Sequence, residues 1–413
     1  MKILILSDDF PPSSFGGAGI IAFNQAKELL RLEHEIFVIT TTKEKEKVGK
    51  QEIDGLVVFS VFSNVSERLR AYLTIYNPVV ISEIEKIISE IQPDVVHAHN
   101  IHSQISYHAI SIAKKYSKKV VITFHDVMPV HYGKLFPKIN INKNGEEVLD
   151  YKISWLKQLI DYKFRWNPFR NILIRYYLKK VDTKISVSHA LADALSANGI
   201  KDIIVLHNGI DADDFSYVSS EVEGFRDKFN LNNKKVIFFG GRISGAKGGM
   251  VALGVLSELS SKFDDLLLLV AGKEDRYTEK LKEMAIKKGV GERLIITGWL
   301  DRGSIKNAYY ASTFVLVPSL YLDPFPTVNL EALICKKPVL GTVYGGTKEV
   351  VIDEINGFII NPNNQQAVND RAEELLSDQN LLNKFGNNGY DLVVNKFNAK
   401  RIASELIGIY ECN

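Results

Sequence analysis

The chain has 413 residues, 46% of them hydrophobic and 24% charged, with a formal net charge of +2. That length exceeds one ordinary domain and fits two of about 200 residues, while the near-neutral charge makes no electrostatic case for a nucleic-acid partner. Cys335 and Cys412 are the only cysteines, too few for a disulfide framework, so a reducing compartment is expected.

No apolar run reaches the roughly 18 residues needed to span a bilayer. The opening Met1-Lys-Ile-Leu-Ile-Leu-Ser-Asp is too short for a signal peptide and reads as a first strand, so a cytoplasmic location is expected. Residues 3–7 predict a strand, 8–18 a loop, the stretch to about Leu32 a helix, and Glu35–Thr40 a second strand. This is the opening of a parallel, doubly wound domain. Gly17-Ala-Gly19-Ile-Ile-Ala22 has the form G-x-G-x-x-A. A nicotinamide reading fails, because the glycines follow the strand at a distance and the second strand ends in Thr40-Thr41-Thr42 with no acid for a ribose.

Alternation continues with a helix near 79–91, a strand at Asp94–Ala98, a helix near 104–115 and a strand at Val120–Phe124. His97, His99 and His102 invite a metal reading, but no cysteine or acid stands at ligand spacing, so core or cleft histidines are expected. His125-Asp126 lies at the carboxyl end of a strand, where open α/β sheets bind ligands. Asp126 reads as a support for its loop. Residues 134–180 break the pattern, with eleven Lys or Arg against four Asp or Glu, interleaved with aromatics such as Tyr151, Trp155, Trp166 and Tyr176. Such a mixture suits an anionic membrane surface or lipid-linked acceptor. Helical insertions packed on the domain with a solvated basic face fit equally well. Strands at Thr183–Val187 and Ile203–Leu206 flank a helix opened by Ser188, and His207-Asn-Gly-Ile-Asp211 leads to a polar stretch, 212–233, expected to link two domains.

Lys235–Gly240 begins a second domain as a buried strand, followed by Gly241-Arg242-Ile-Ser-Gly-Ala-Lys247-Gly248-Gly249 opening a helix. Further strands are expected at Leu266–Ala271, Leu294–Thr297 and Thr313–Val317. The centre of the chain's chemistry is Pro318-Ser-Leu-Tyr-Leu-Asp323-Pro-Phe-Pro-Thr-Val-Asn-Leu-Glu331. Pro326 suits the first turn of a helix, which would leave the amides of Thr327 and Val328 at an anion-favouring N-terminus. Asp323 would precede the helix and meet a group beyond a phosphate; Glu331, inside it, would meet a ribose behind. Two acids facing a polyanion need cations, and Arg242 and Lys247 are the pair at hand.

These residues, with Lys337-Pro-Val-Leu-Gly341-Thr and Gly345-Gly346-Thr-Lys-Glu349, resemble the signature of family-4 glycosyltransferases. Asp323 stands where that family usually has Glu, and Pro326 where it often has Gly. The resemblance implies a GT-B fold: two doubly wound Rossmann-like α/β domains facing across a cleft. The expected boundaries are an acceptor-binding domain at 1–210 carrying the insertion 134–180, a nucleotide-sugar domain at 211–395, and a terminal helix, 396–413, returning to the first. It implies a retaining, metal-independent transfer of a sugar from a nucleoside diphosphate sugar to an acceptor hydroxyl, in cell-surface polysaccharide or glycolipid synthesis. No cofactor beyond the donor substrate is expected. By the same resemblance, Arg242 and Lys247 hold the donor pyrophosphate, Gly16 and Gly17 let backbone approach the donor phosphate and the acceptor, and Gly345-Gly346 let another segment near the phosphates. Trp299 and Leu300 take the nucleobase position, Phe325 keeps its family place, and His125 faces the sugar. The alternatives are an epimerase of nucleotide sugars on the same fold, or a sugar-binding partner subunit without activity.

Overall fold

The structure is a computed structural model and describes residues 1–12, 17–141, 147–241 and 243–412. The chain divides into two compact units, Met1–Gly209 with Ala399–Asn413, and Ile210–Asn398.

The first unit is built on strands β1 (Lys2–Leu6), β2 (Glu35–Thr42), β3 (Gly49–Ile53), β4 (Leu56–Phe62), β5 (Val95–Ala98) and β6 (Lys119–Phe124), then β7 (Lys138–Ile141), β8 (Glu147–Asp150), β9 (Thr183–Ser186) and β10 (Ile203–Val205). Eight of them form one sheet in the order β10-β9-β6-β5-β1-β2-β4-β3, while β7 and β8 pair separately. All neighbours in the large sheet run parallel except β3, which lies antiparallel on the edge against β4. That antiparallel pair around the turn at Asp54-Gly55 goes beyond the elements expected between 42 and 92. The strands are near-continuous apolar runs, as burial on both faces of a parallel sheet demands. On one face Ile3, Ile5, Val38 and Val95 join Ala22, Ala26 and Leu29 of the helix Gly17–Arg31, and Ile402, Leu406 and Tyr410 of the terminal helix Ala399–Glu411. Gly17 thus opens a helix instead of ending a loop.

The second unit carries β11 (Lys235–Gly240), β12 (Leu266–Ala271), β13 (Leu294–Gly298), β14 (Phe314–Val317), β15 (Val339–Thr342) and β16 (Gly357–Ile360). Their order is β13-β12-β11-β14-β15-β16, all parallel. The winding reverses between β11 and β14, the switch point at which such sheets bind ligands beyond their carboxyl ends. The stretch expected as a polar linker is folded: Asp211 caps a short 3₁₀ turn, and the helix Ser219–Lys228 buries Val222 and Phe225. Phe215 and Phe225 supply the apolar side chains that make this possible. Among the described residues, no helix is long and apolar enough to cross a membrane.

Candidate active site

In the second unit the loops after β11 and β14, the strands flanking the switch point, are fastened backbone to backbone. Lys247 closes a 3₁₀ turn and Gly248 follows with φ +83°. A Cβ on Gly248 would lie 2.1 Å from the Pro318 carbonyl oxygen, so only glycine permits this approach. The Leu320 N–H donates to the Ala246 carbonyl at 2.8 Å across the same seam. The clamp brings Lys247 Nζ to 2.5 Å from Asp323 Oδ2, and Ser319 Oγ donates to that same oxygen at 2.9 Å. Asp323 is only 5% exposed. Burial works against a charged Lys247, yet the Asp323 carboxylate and then Tyr321 outweigh it, and the ammonium's pKa is raised. The Tyr321 ring lies 5.6 Å from Nζ.

A second clamp comes from Gly345, whose φ is +73° and whose Cβ would fall 2.1 Å from the Asp323 carbonyl oxygen. Gly346 N–H donates to that oxygen at 2.9 Å. The segment these glycines admit is therefore the backbone of Asp323 itself. They set the acid in place.

Pro326 (φ −64°, ψ 113°) is the N-cap of the helix Thr327–Ile334, one position outside the expected first turn. It offers no capping side chain, whereas Asp275, Asp301, Asn364 and Asp378 cap four other helices of the unit. The leading amides, including those of Thr327 and Val328, have no side-chain acceptor at the cap, a favourable seat for an anion. Glu331 accepts a 2.5 Å hydrogen bond from Tyr309 Oη. Burial raises the Glu331 pKa, while bonds from Tyr309 and Thr327 pull it back only partly. The two acids thus have separate partners: Lys247 serves Asp323, and hydroxyls serve Glu331. Asn329 is fully buried two positions into this helix, its Oδ1 without a hydrogen-bond partner among the described residues.

The remaining expectations divide. Trp299 is half-exposed and Leu300 partly buried, directly after Gly298 with φ +76°. Phe325 is buried with its ring 5.9 Å from that of Phe397, a packing position. Arg242 and Gly16 lie outside the described residues. At Gly17 a Cβ would meet no described atom within 4 Å.

The first unit carries its own polar layer past the ends of three adjacent central strands, β6, β5 and β1. His99 Nδ1 and His125 Nε2 are 2.8 Å apart, with their rings stacked at 5.1 Å. His97 bonds Tyr410 Oη at 2.7 Å and Thr123 Oγ1 at 2.8 Å. His97, His99 and His102 are buried, and His125 is partly exposed. Burial lowers their pKa values, to about 3 for His97 and to about 4 for His102 and His125. Asp126 Oδ1 accepts from the Met128 N–H at 2.8 Å, bracing its loop, and Oδ2 lies 3.5 Å from His102 Nε2. Asp8 accepts from the backbone amides of Ser103, Gln104 and Ile105 at 2.6, 2.9 and 2.7 Å. Burial nevertheless raises its pKa to about 6. Arg170, counted in the basic insertion, is wholly buried, donates to the Met128 carbonyl and stacks 4.8 Å from the Tyr132 ring.

Sequence reasoning missed Ser319, Tyr309, Tyr321 and Asp8. Ser319 had a signal, a hydroxyl in the same post-strand loop as Asp323. Tyr309 had none, because it reaches Glu331 from another helix.

Both units are Rossmann-like α/β domains on parallel sheets, the GT-B fold of the structural neighbours. Sucrose-phosphate synthase from Thermosynechococcus elongatus superposes with a TM-score of 0.78 at 18% identity, over 99% of this chain and 98% of that one. Anabaena HepE in complex with UDP gives 0.71 at 17% identity, over 99% of both, and has also been solved with UDP-glucose. An uncharacterized glycosyltransferase of Methanocaldococcus jannaschii is 24% identical over 417 aligned positions, covering 100% of this chain and 98% of the relative. Residues 15–214 match the model of Glycosyltransferase Family 4 and residues 221–392 that of Glycosyl transferases group 1. The chain belongs to this group 1, or family-4, set of glycosyltransferases.

Proposed function

We propose that this glycosyltransferase takes its sugar from a nucleoside diphosphate donor and passes it to an acceptor hydroxyl with retention at the anomeric carbon. The observation carrying this reading is the pairing of Lys247, from the loop after β11, with the buried Asp323 in the loop leading to an uncapped helix N-terminus. A fixed cation and free amides together suit a diphosphate. The UDP and UDP-glucose complexes of HepE, a protein of the same fold, support a donor of that kind. In this proposal Lys247, with Arg242, holds the diphosphate, and the Thr327 and Val328 amides add to it. Their contacts strengthen as the leaving group gains charge, which is where transition-state stabilisation counts. An arriving diphosphate competes with Asp323 for the ammonium, releasing the carboxylate to orient a sugar hydroxyl. Glu331 takes the ribose hydroxyls, and the backbone at Trp299 and Leu300 the base. The role carried to His125 is contact with the sugar.

The sequence offers no carboxylate nucleophile of the glycosidase kind, so we infer a front-face transfer in which the leaving phosphate accepts the acceptor's proton. Fixed cations fill the electrostatic place of a divalent metal. The test is a panel of nucleoside diphosphate sugars incubated with and without lipid extract, in chelator, with the product anomer read by NMR. Transfer with retained configuration is expected. An inverted product, or transfer abolished by chelator, would overturn the mechanism; a panel left untouched would overturn the donor class.

A further inference from the structure

Of the 25 large hydrophobic side chains exposed among the described residues, 12 lie between Phe136 and Tyr176, so about a tenth of the chain holds nearly half of them. The helix Trp155–Tyr162 is seated inside out. Trp155, Leu156, Leu159 and Ile160 fall within an arc of about 140° at 3.6 residues per turn, and all four face solvent, Ile160 at 69% exposure. The side chain this helix buries is Gln158, which donates to the Val130 carbonyl at 3.1 Å. A packed insertion with a solvated basic face would show the reverse. The helix Arg170–Leu178 buries Arg170, Ile174 and Leu178 on one side and exposes Ile172, Leu173 and Tyr176 on the other.

Around these stripes residues 151–180 carry eight Lys or Arg and a single acid, Asp161. Lys157, Lys163, Arg165 and Lys179 are exposed. Charge selects the occupant. A second copy of the same face would bring like charges together, whereas an anionic lipid surface accepts both the cations and the apolar stripe. We propose that this face docks the enzyme on an anionic bilayer, Trp155, Leu156, Leu159 and Ile160 entering the headgroup region and the flanking cations meeting lipid phosphates. Docking is independent of the transfer reading above and is measured without it.

The experiment is co-sedimentation of the full-length protein with vesicles of phosphatidylcholine alone or mixed with phosphatidylglycerol. Binding to the mixed vesicles at low salt, reversed at high salt and missing on phosphatidylcholine, is expected. Leu156→Ser with Ile160→Ser lowers the partition at least about tenfold. Lys157→Glu with Lys179→Glu lowers it on anionic vesicles; both double variants keep the wild-type melting temperature, since all four positions are exposed. Failure to bind the mixed vesicles, or equal binding to neutral ones, overturns the proposal. So does a solution dimer that Leu156→Ser with Ile160→Ser converts to monomer.

Discussion

The two units solve the burial of polar groups at their switch points in opposite ways. The second pairs fixed charges: Lys247 with Asp323, clamped by glycines at 248 and 345 that permit backbone approaches of 2.1 Å from a would-be Cβ. The first keeps its histidines neutral, burial holding His97, His102 and His125 well below their usual pKa. A paired charge is ready for an ionic ligand at any ordinary pH. A neutral histidine stack is ready for hydroxyl groups and is vulnerable to acid.

The largest effect should come from breaking the pair. Lys247→Met is expected to cut transfer about a thousandfold and to cost about 3 kcal/mol of stability, the low end for a buried ion that loses its countercharge, since Ser319 still donates to Asp323. Adding Asp323→Leu should return most of the stability and none of the transfer, as read by denaturant unfolding beside the assay. A double variant that stayed as unstable as the single one would mean that the pair is not what the clamp serves. Glu331→Gln sharpens the contrast between the two acids: transfer falls about a hundredfold while stability moves by no more than about 1 kcal/mol, because Tyr309 keeps an acceptor. Gly345→Ala tests the clamp itself. A left-handed φ and the collision with Asp323 should destabilise by more than about 1 kcal/mol and lower activity through a misplaced acid, whereas an unchanged crossover in unfolding would contradict the geometry.

The smallest expected effect is the acid response, and it should fall on the first unit. A histidine with a depressed folded pKa stabilises above its unfolded value of 6.5 and loses that contribution as pH falls toward about 4. Asp8 works the other way, its pKa raised to about 6, but one acid opposes the four histidines His97, His99, His102 and His125. Hydrogen exchange followed by mass spectrometry, corrected for intrinsic rates, should show protection near β5 and β6 declining from pH 6.5 to 4 before protection in β11 and β14 does. Simultaneous loss in both would remove the distinction between the units.

Much of this was legible from the chain. Buried parallel strands such as VIFFG and LLLLVA announce themselves by unbroken apolar runs, and the Asp323–Glu331 spacing marks a loop feeding a helix. What was not legible depends on long-range approach. That Gly345 admits the backbone of Asp323, or that Tyr309 reaches Glu331, follows only once β14 and β15 lie side by side and the preceding helix is docked. The 212–233 stretch read as a linker because its polar residues outnumber Phe215, Val222, Phe225 and Leu231, all four of which are buried. In the insertion, composition left two readings open, and the docking proposal rests on the apolar outer stripe over a buried Gln158.

The central claim, that the Lys247–Asp323 clamp receives a nucleoside diphosphate, is tested most directly by calorimetric titration of UDP and other nucleoside diphosphates, in chelator, into wild type and Lys247→Met. At least one of them should bind the wild type without metal and bind the variant about a hundredfold more weakly. Equal affinity in the two proteins, or no binding by the wild type to any member of the series, would contradict it.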